Sequence, residues 1–598
     1  MRIYTRLPGM LVTLGALTAA ALALSGFGLV ALWSVAVLAG ILLLARWMPL
    51  ALAFAVTVGT FFVLELLLLL VTPLIGIGMT VPHIFSWATV SAAIGILCTV
   101  RPALPELSRH DVLLMVAGSA SSLILVVCLA IAQAIPGGQR FAWAMNGDTV
   151  NAMGFARRML VDGGIDPAST PQPTPLPFAM SAANMEGARS GAASLLLQHD
   201  VSRTAQVWVF VIVVSCLLVG TILARAARTA PVRWAVPVVA LASTASLSWH
   251  VIGLQFQFGF MNSAFAVALL LAAWLAFTGG TARPAIALFA LFAVALALLS
   301  VWSPLVVCMA GLVVVTVVHE RSLIARSRPV EFVAAALAAG AFLGYAALVT
   351  VPGFLQSSGA LGNDGGFPAL GPGSTLVITS LLLVASALGA QTGAGRSAAG
   401  VVSIVAGFGL GLGYLLAQRH DAAFGWGYYP AKFAWTASIL LMVILLSFAV
   451  HLLRAVEWSP GWRRIMTAGV AALMVSVLWG PVSPGAQVPL AGIVRDGPSE
   501  EAAEIVFDLV GSENGKDFLW RSAVGDYWIN TWLLQIDRPD TDPLKIYATV
   551  LSLAPDQVCA LAGGLGSDVV IHTSDPNARA DLEAVCPDVQ YTLEEGDY

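Results

Sequence analysis

Residues 49–72 read PLALAFAVTVGTFFVLELLLLLVT, and the one ionisable side chain among them is Glu65. Crossing the ~30 Å hydrocarbon core of a bilayer as a helix takes about 20 predominantly apolar residues. A run that is apolar on every side has no face for water to cover, so it belongs inside protein or lipid. Comparable runs recur from the N-terminus to about Val482. Composition says the same: 58% of the 598 residues are hydrophobic and 10% charged, with a mean hydropathy of +0.87. A soluble domain carries roughly 25% charged residues. The net charge of -4, with no basic patch interleaved with aromatics, gives no nucleic-acid signature.

Window reading predicts an all-α polytopic membrane bundle of about fifteen spans. They fall near 8–25, 27–45, 49–72, 83–100, 111–135, 205–224, 234–251, 256–279, 284–301, 303–319, 330–351, 374–391, 397–417, 431–453 and 465–482. The first has the makings of a cleaved signal peptide, with Arg2 and Arg6 ahead and Ala21-Leu22-Ala23 behind. An uncleaved span is preferred, because further hydrophobic segments follow at once.

Arginine placement orients the chain. With the N-terminus cytoplasmic, alternate short links carry Arg46, then Arg101 and Arg109, then Arg225, Arg228 and Arg233. They continue with Arg283, then Arg321, Arg326 and Arg328, then Arg396, and finally Arg454, Arg463 and Arg464. The opposite short links, near Gly26, Thr80, Gln255 and Ser303, carry none. Three longer segments then lie outside, 136–204, 351–373 and 418–429, together with a span-less tail over 483–598. The inner face offers only short basic links, and no G-x-x-x-x-G-K-[ST] phosphate loop occurs. Any chemistry belongs to the outer face.

The tail reads as a small α/β domain, separate from the membrane domain of residues 1–482. Helices are expected at Glu500–Leu509, Ala554–Ala562 and Asn577–Cys586, and strands at Asp568–His572 and Val589–Thr592. The Gly563–Asp568 stretch precedes a strand, whereas a dinucleotide loop follows one and opens a helix, so a turn is expected. Asp537, Asp540 and Asp542 also read as a turn, because the spacing and closing Glu of a calcium loop are missing. Cys98, Cys128, Cys216 and Cys308 lie in apolar runs and read as small hydrophobes. Cys559 and Cys586 are the two cysteines outside the spans, where a disulfide is open to them in an oxidising compartment.

Two stretches could carry chemistry. Phe141-Ala-Trp-Ala-Met-Asn146-Gly-Asp148-Thr-Val-Asn151 opens the first outer loop and leads into a predicted helix, Ala152–Val161. Asp148 stands where an N-cap would, with Thr149 in competition, and capping is the ordinary use of such an Asp. The functional alternative is a carboxylate just above the membrane plane, placed to take a proton from an acceptor hydroxyl. In the second stretch, Arg419 and Lys432 bracket the outer end of a span. A snorkelling anchor is the bland reading of that Lys. The sharper one is a cation at a helix N-terminus, a site already suited to phosphate and to the charge on a departing phosphate oxygen. Trp426, Tyr428, Tyr429 and Trp435 belong by default to the interfacial aromatic belt, or else stack on sugar. His250 is either a hydrogen-bonded interfacial residue or a donor to sugar or phosphate. His199, Asp200, Glu186 and Arg189 read as solvated loop residues, and His83 is uninformative. No metal-ligand spacing is present. The Pro-rich run 166–177 is expected to be extended, as a linker or a partial lid.

In layout the chain resembles the GT-C superfamily of polytopic membrane glycosyltransferases, which use polyprenyl-phosphate sugars. The likeness rests on Asn146-Gly147-Asp148 at the start of the first large outer loop and on the soluble C-terminal domain. The stretch His420-Asp421-Ala-Ala-Phe-Gly-Trp-Gly-Tyr428-Tyr429-Pro-Ala-Lys432-Phe-Ala-Trp435 is similar to loops of actinobacterial cell-envelope members. A composition high in Ala, Val, Gly and Arg and poor in Lys also fits a GC-rich bacterial genome. Many members pair two acids in the first loop. Asp148 has no acidic neighbour, so no divalent metal is indicated and no cofactor expected.

The resemblance implies transfer of a hexose or pentose from a polyprenyl phosphate to an envelope glycan or glycolipid hydroxyl, with inversion, at the outer face of the plasma membrane. Asp148 would be the base, with Lys432, Arg419 and His420 on the donor phosphate. Asn146, Asn151, Tyr428, Tyr429, Trp426 and His250 would contact substrate, and the tail would bind acceptor or pack over the site. Two other classes compete. A transporter or lipid flippase expects ionisable groups within spans and repeated halves; Glu65 is the clearest mid-span acid, and no internal repeat is visible. A non-catalytic scaffold would use the tail only to recruit envelope partners.

Overall fold

The structure, a computed structural model, describes residues 17–18, 20, 28–100, 108–166, 174–187, 192–356, 371–420, 422, 425–455, 499–510, 516–521, 526–536 and 554–596. Outside these residues lie the expected spans 8–25, save for residues 17–18 and 20, and 465–482, most of the 351–373 segment, Pro167–Pro173, Arg189 and the turn around Asp540.

Ten helical stretches among the described residues are long and apolar enough to cross a membrane. Each sequence-derived span that falls on described residues coincides with an apolar helix. In chain order these begin with α1 (Val30–Leu44), α2 (Leu50–Ile75), α3 (Thr80–Val100), α4 (Arg109–Gly118) and α5 (Ala120–Ala134). The first loop holds α6 (Gln139–Ala142), α7 (Thr149–Asp162) and α8 (Pro175–Met185), after which α9 (Ala193–Ala227) runs the length of the bundle. Next come α10 (Val232–Ser243), α11 (Leu254–Phe258), α12 (Met261–Gly279), α13 (Pro284–Trp302) and α14 (Val307–Ala325). The set closes with α15 (Pro329–Tyr345), α16 (Val351–Gln356), α17 (Pro372–Gly389), α18 (Gly395–Ala417) and α19 (Tyr428–Ala455). Between α13 and α14 the backbone is extended at Trp302 (φ -163°, ψ 90°) and then makes a 3-10 turn, so the 42-residue apolar stretch Pro284–Ala325 stands as two helices, where the sequence gives the two spans 284–301 and 303–319.

Apolar helices differ in what covers them. The apolar window of α12 is 89% buried by other helices, whereas that of Pro329–Gly353, which includes α15, is 6% buried. Leu337, Leu343 and Leu348 of this outer stretch are among the most exposed large side chains. Such a continuous apolar surface is tolerable only in lipid.

α9 corrects one boundary. At 1.5 Å per residue its 35 residues span about 52 Å, well beyond the bilayer core. The first loop therefore ends at about Ala192 rather than 204, and the first turns of α9 stand clear of the apolar zone. The Pro-rich run is a second correction: Pro175 and Pro177 begin α8, whose residues are all buried. Proline at the first helical position gives up a hydrogen bond no helix would have made.

At one end of the bundle, Arg228 pairs with Asp111 (2.9 Å), Arg396 with Glu320 (3.4 Å) and Arg283 with Glu331 (3.5 Å). Each pair joins links that the arginine pattern assigned to one face. At the other end, α20 (Glu500–Leu509) and α21 (Asp526–Ile536) of the tail pack on the first loop, and Val506, Phe507, Trp532 and Leu533 share one continuous core with the bundle.

Beyond them a parallel sheet forms from β1 (Asp517–Leu519), β2 (Val569–Thr573) and β3 (Tyr591–Glu595), in that order. Helix α22 (Pro555–Leu565) precedes β2, and α23 (Ala578–Val585) links β2 to β3, as parallel strands require. Phe518, Val558, Leu561, Ile571 and Leu582 give the sheet its own core. On β1, Asn530 stands in for a neighbouring strand: its amide accepts from Leu519 N at 2.6 Å and donates to Leu519 O at 2.7 Å. Cys559 and Cys586 form a disulfide with Cα atoms 5.5 Å apart. Gly563 and Gly564 lie within α22, so the expected turn begins only at Gly566 (φ +86°).

Candidate functional site

The site is built where the turn 146–149 meets the turn 258–260. Gly147 has φ +48° and Gly259 φ +65°, left-handed conformations that side chains rarely adopt. A Cβ on Gly147 would sit 2.5 Å from the Phe258 carbonyl, and one on Gly259 2.3 Å from both Asn146 O and Thr149 N. The two backbones therefore touch, and Asp148 N donates to Phe258 O at 2.8 Å. Asn146 is buried inside this turn, its amide directed at Trp143 O (3.5 Å).

Asp148 occupies the N-cap position of α7, yet its side chain makes no capping bond. Instead Oδ2 accepts a hydrogen bond from Tyr428 OH at 3.1 Å, and Asn151 donates to the same carboxylate. Tyr428 OH in turn accepts from Lys432 Nζ at 3.2 Å. The two tyrosine bonds bridge the carboxylate to the ammonium through a single hydroxyl. Lys432 is buried in the second turn of α19, its ammonium 3.7 Å from the centre of the Phe260 ring and 5.8 Å from that of Trp302. A cation held over ring faces inside the protein is no snorkelling anchor. Phe260 also meets Tyr428 edge-on at 5.9 Å.

Burial raises the Asp148 carboxyl above its ordinary range, because removal from water penalises the charged form. Lys432, Tyr428 and Asn151 oppose that rise. Asn151 Oδ1 is buried and makes no hydrogen bond among the described residues, which leaves an acceptor beside the carboxylate.

The remaining sequence candidates are placed differently. Tyr429 packs edge-on against Tyr428 at 5.0 Å and feels the charge of Asp148. Arg419 is buried against the backbone of Gly427, where a Cβ would meet its guanidinium carbon at 2.3 Å. Trp426 is half-buried in the same loop. His420 is exposed, its Nδ1 at 3.1 Å from Ala417 O. His250 sits deeper, its Nε2 at 3.0 Å from Ser438 Oγ and its carbonyl accepting from Trp435 Nε1 at 2.9 Å. That arrangement is the hydrogen-bonded reading of His250, and it takes the fully buried Trp435 out of an interfacial belt.

The tail reaches this site directly. The indole N–H groups of Trp528 and Trp532 both donate to Met145 O at 3.1 Å, one residue before the turn. Arg157 on α7 bonds Asp200 at 2.8 Å and Ile536 O, the last carbonyl of α21, at 3.0 Å. Asp200 is fully buried, with His199 Nδ1 at 3.2 Å from its other oxygen, and Glu186 accepts from Thr80 N. None of these three is the solvated loop residue expected from sequence. Among the described residues no three His, Cys, Asp or Glu side chains converge as a metal site.

Glu65 and His83, both fully buried, lie 2.8 Å apart, and Trp87 Nε1 donates to the same carboxylate. The mid-span acid thus has its partners within α2 and α3. Phe260, Trp302, Gly259, Trp528 and Trp532 are the members of the site that sequence reasoning missed. The Phe258-Gly259-Phe260 context was the local sign of that turn, as a glycine in otherwise apolar surroundings marks close backbone approach.

No protein family, curated protein or solved structure matches this chain.

Proposed function

We propose that the protein is a membrane glycosyltransferase of GT-C type that moves a sugar from a polyprenyl phosphate to a hydroxyl of an envelope glycan or glycolipid. The carrying observation is that Asp148, free to cap α7, turns instead into the Tyr428–Lys432 pair. A cap stabilises a helix; a carboxylate one hydroxyl away from a buried ammonium is arranged for proton and phosphate chemistry.

In this reading Asp148 takes the proton from the acceptor hydroxyl as its oxygen attacks the anomeric carbon. The bond from that carbon to the phosphate oxygen breaks, the configuration inverts, and the leaving phosphate keeps the electron pair. Lys432 stabilises the charge that builds there, from a site with little water to screen it. Asn151 Oδ1 orients a sugar hydroxyl, and Tyr428 keeps base and cation in register. Arg419 firms the loop on which Tyr428 and Trp426 sit. The lipid tail of the donor enters between helices from the bilayer. About fifteen crossings, a cytoplasmic N-terminus and an extracytoplasmic tail complete the proposal.

The test compares Asp148→Asn with wild type in membranes supplied with radiolabelled polyprenyl-phosphate sugars, with folded yield scored separately. Transfer reduced at least about 100-fold, the scale of a lost general base, with normal yield supports the assignment. Unchanged transfer removes Asp148 from the mechanism. No transfer by wild type with any donor overturns the enzyme reading in favour of transport.

A further inference from the structure

A cavity of about 340 Å³ opens at the seam between the first loop and the tail. It lies within the lower part of the range usual for small-molecule sites, about 300–1,000 Å³. Arg140 and Phe141 of α6, Gln198 of α9, and Glu504, Phe507 and Asp508 of α20 line it. The aromatic wall is rigid: Phe141 and Phe507 meet edge to face at 5.6 Å, and the Arg140 guanidinium lies 4.5 Å over the Phe141 ring. Arg140 NH2 donates to Gln198 Oε1 at 3.3 Å, and Glu504 Oε1 accepts from Gly138 N at 3.2 Å. Arg140 Nε is buried and makes no hydrogen bond among the described residues. A buried donor without a partner is costly, and a ligand oxygen in the cleft would relieve that cost.

The chemistry of this lining selects its occupant. One guanidinium faces two carboxylates, so a phosphate or other anion is repelled on balance. The guanidinium already covers the Phe141 face that a ligand cation would need. A neutral polyol suits every wall: its hydroxyls donate to Glu504 and Asp508, its oxygens accept from Arg140 and Gln198, and its C–H faces lie on Phe507.

We infer that this seam is a saccharide-binding cleft that holds the acceptor glycan. The acceptor role rests on the glycosyltransferase reading; the binding of neutral saccharide does not. Arg140 of the cleft and Asp148 belong to one short stretch of chain, α6 and the turn that follows it, which ties the cleft to the proposed base. The cleft exists only while α20 is docked, which makes the tail part of the acceptor site.

The test is saturation-transfer NMR on the full-length protein in nanodiscs, without donor, using neutral tetrasaccharides of galactan, arabinan and glucan, with sialyllactose and chitosan tetramer as charged controls. Expected is saturation of at least one neutral probe, weakened about tenfold or more in Asp508→Asn and in Gln198→Ala, each of which leaves the aromatic wall intact. No neutral probe bound by wild type, binding unaltered in both variants, or binding of a charged control alone overturns the cleft. If neutral saccharide binds and both variants lose it while no donor supports transfer, the cleft stands and the enzyme reading falls. If transfer is intact and no saccharide binds the cleft, the reverse holds.

Discussion

At the scale of single residues, the site is a balance around one carboxyl. Burial pushes Asp148 upward, and Tyr428, Lys432 and Asn151 push back. If Asp148 is the base of the proposed transfer, it must be ionised to accept a proton, so transfer should rise with pH through its pKa. Tyr428→Phe removes a hydrogen bond that stabilises the charged form, so the pKa climbs further and the acid limb of the pH–rate profile moves to higher pH. A bond to a charged group is worth about 1.5–3 kcal/mol, and 1.36 kcal/mol corresponds to one pH unit, so the limb should move by about one to two. A limb that stays in place, or moves to lower pH, would show that Asp148 is not the titrating base. Asp148 itself was legible because an acid beside Asn and Gly, before a helical pattern, has few uses. What the sequence could not say was which use, since capping and catalysis place the same residue at the same position. Only the direction of the side chain separates them, and Tyr428, which sets it, lies 280 residues away.

At the scale of elements, α7 is held between the bundle and the tail by Arg157. Its partner Asp200 is fully buried and Arg157 nearly so, at 14% side-chain exposure. Arg157→Met takes the guanidinium from that carboxylate and leaves it His199 at 3.2 Å, so the loss should fall at the lower end of the about 3–5 kcal/mol of a broken buried pair. The measurement is a double-mutant cycle with Asp200→Leu, read by thermal unfolding in detergent. The double variant should recover most of the loss, because no buried charge remains. Equal damage in the single and double variants would show that the pair does not couple. Limited proteolysis on the same set reports the tail, which Arg157 also grips at Ile536 O. Apolar helices such as α2 and α12 were readable because length and composition alone fix them. α20 was readable too, from Ala503, Val506 and Phe507 on one face. β1 and α21 were not: three strand residues carry no periodicity, and α21 owes its face to Trp528 and Trp532, whose partner Met145 O is remote in sequence. Asp200 was misread because charged residues between apolar runs usually meet water, while here α9 extends the helix through it; Glu186, just past the end of α8, was misread because its partner Thr80 N is remote in sequence.

At the scale of the whole molecule, two sets of contacts mark opposite ends. The Arg228–Asp111, Arg283–Glu331 and Arg396–Glu320 pairs gather the basic links. Asp148, the start of α19 and the tail gather at the other end. The arginine rule places the basic end in the cytoplasm, so the Cys559–Cys586 disulfide should face an oxidising compartment. In cells whose protein carries Ala at positions 98, 128, 216 and 308, a membrane-impermeant maleimide should label the tail only after an impermeant phosphine reductant. With Arg228→Cys added, that cysteine should label only once the membrane is permeabilised. Tail labelling that needs permeabilisation, or a position 228 open from outside, would invert the molecule. The consequence reaches the chemistry, because the indoles on Met145 tie the tail to the same side as Asp148. A base outside the cell has no access to cytoplasmic nucleotide sugars. In the proposed reaction a sugar donor reaching it would cross with the membrane, carried on a lipid, and the buried ammonium of Lys432 would meet the lipid phosphate. An inverted molecule would remove that constraint and, with it, the physical reason for a polyprenyl donor.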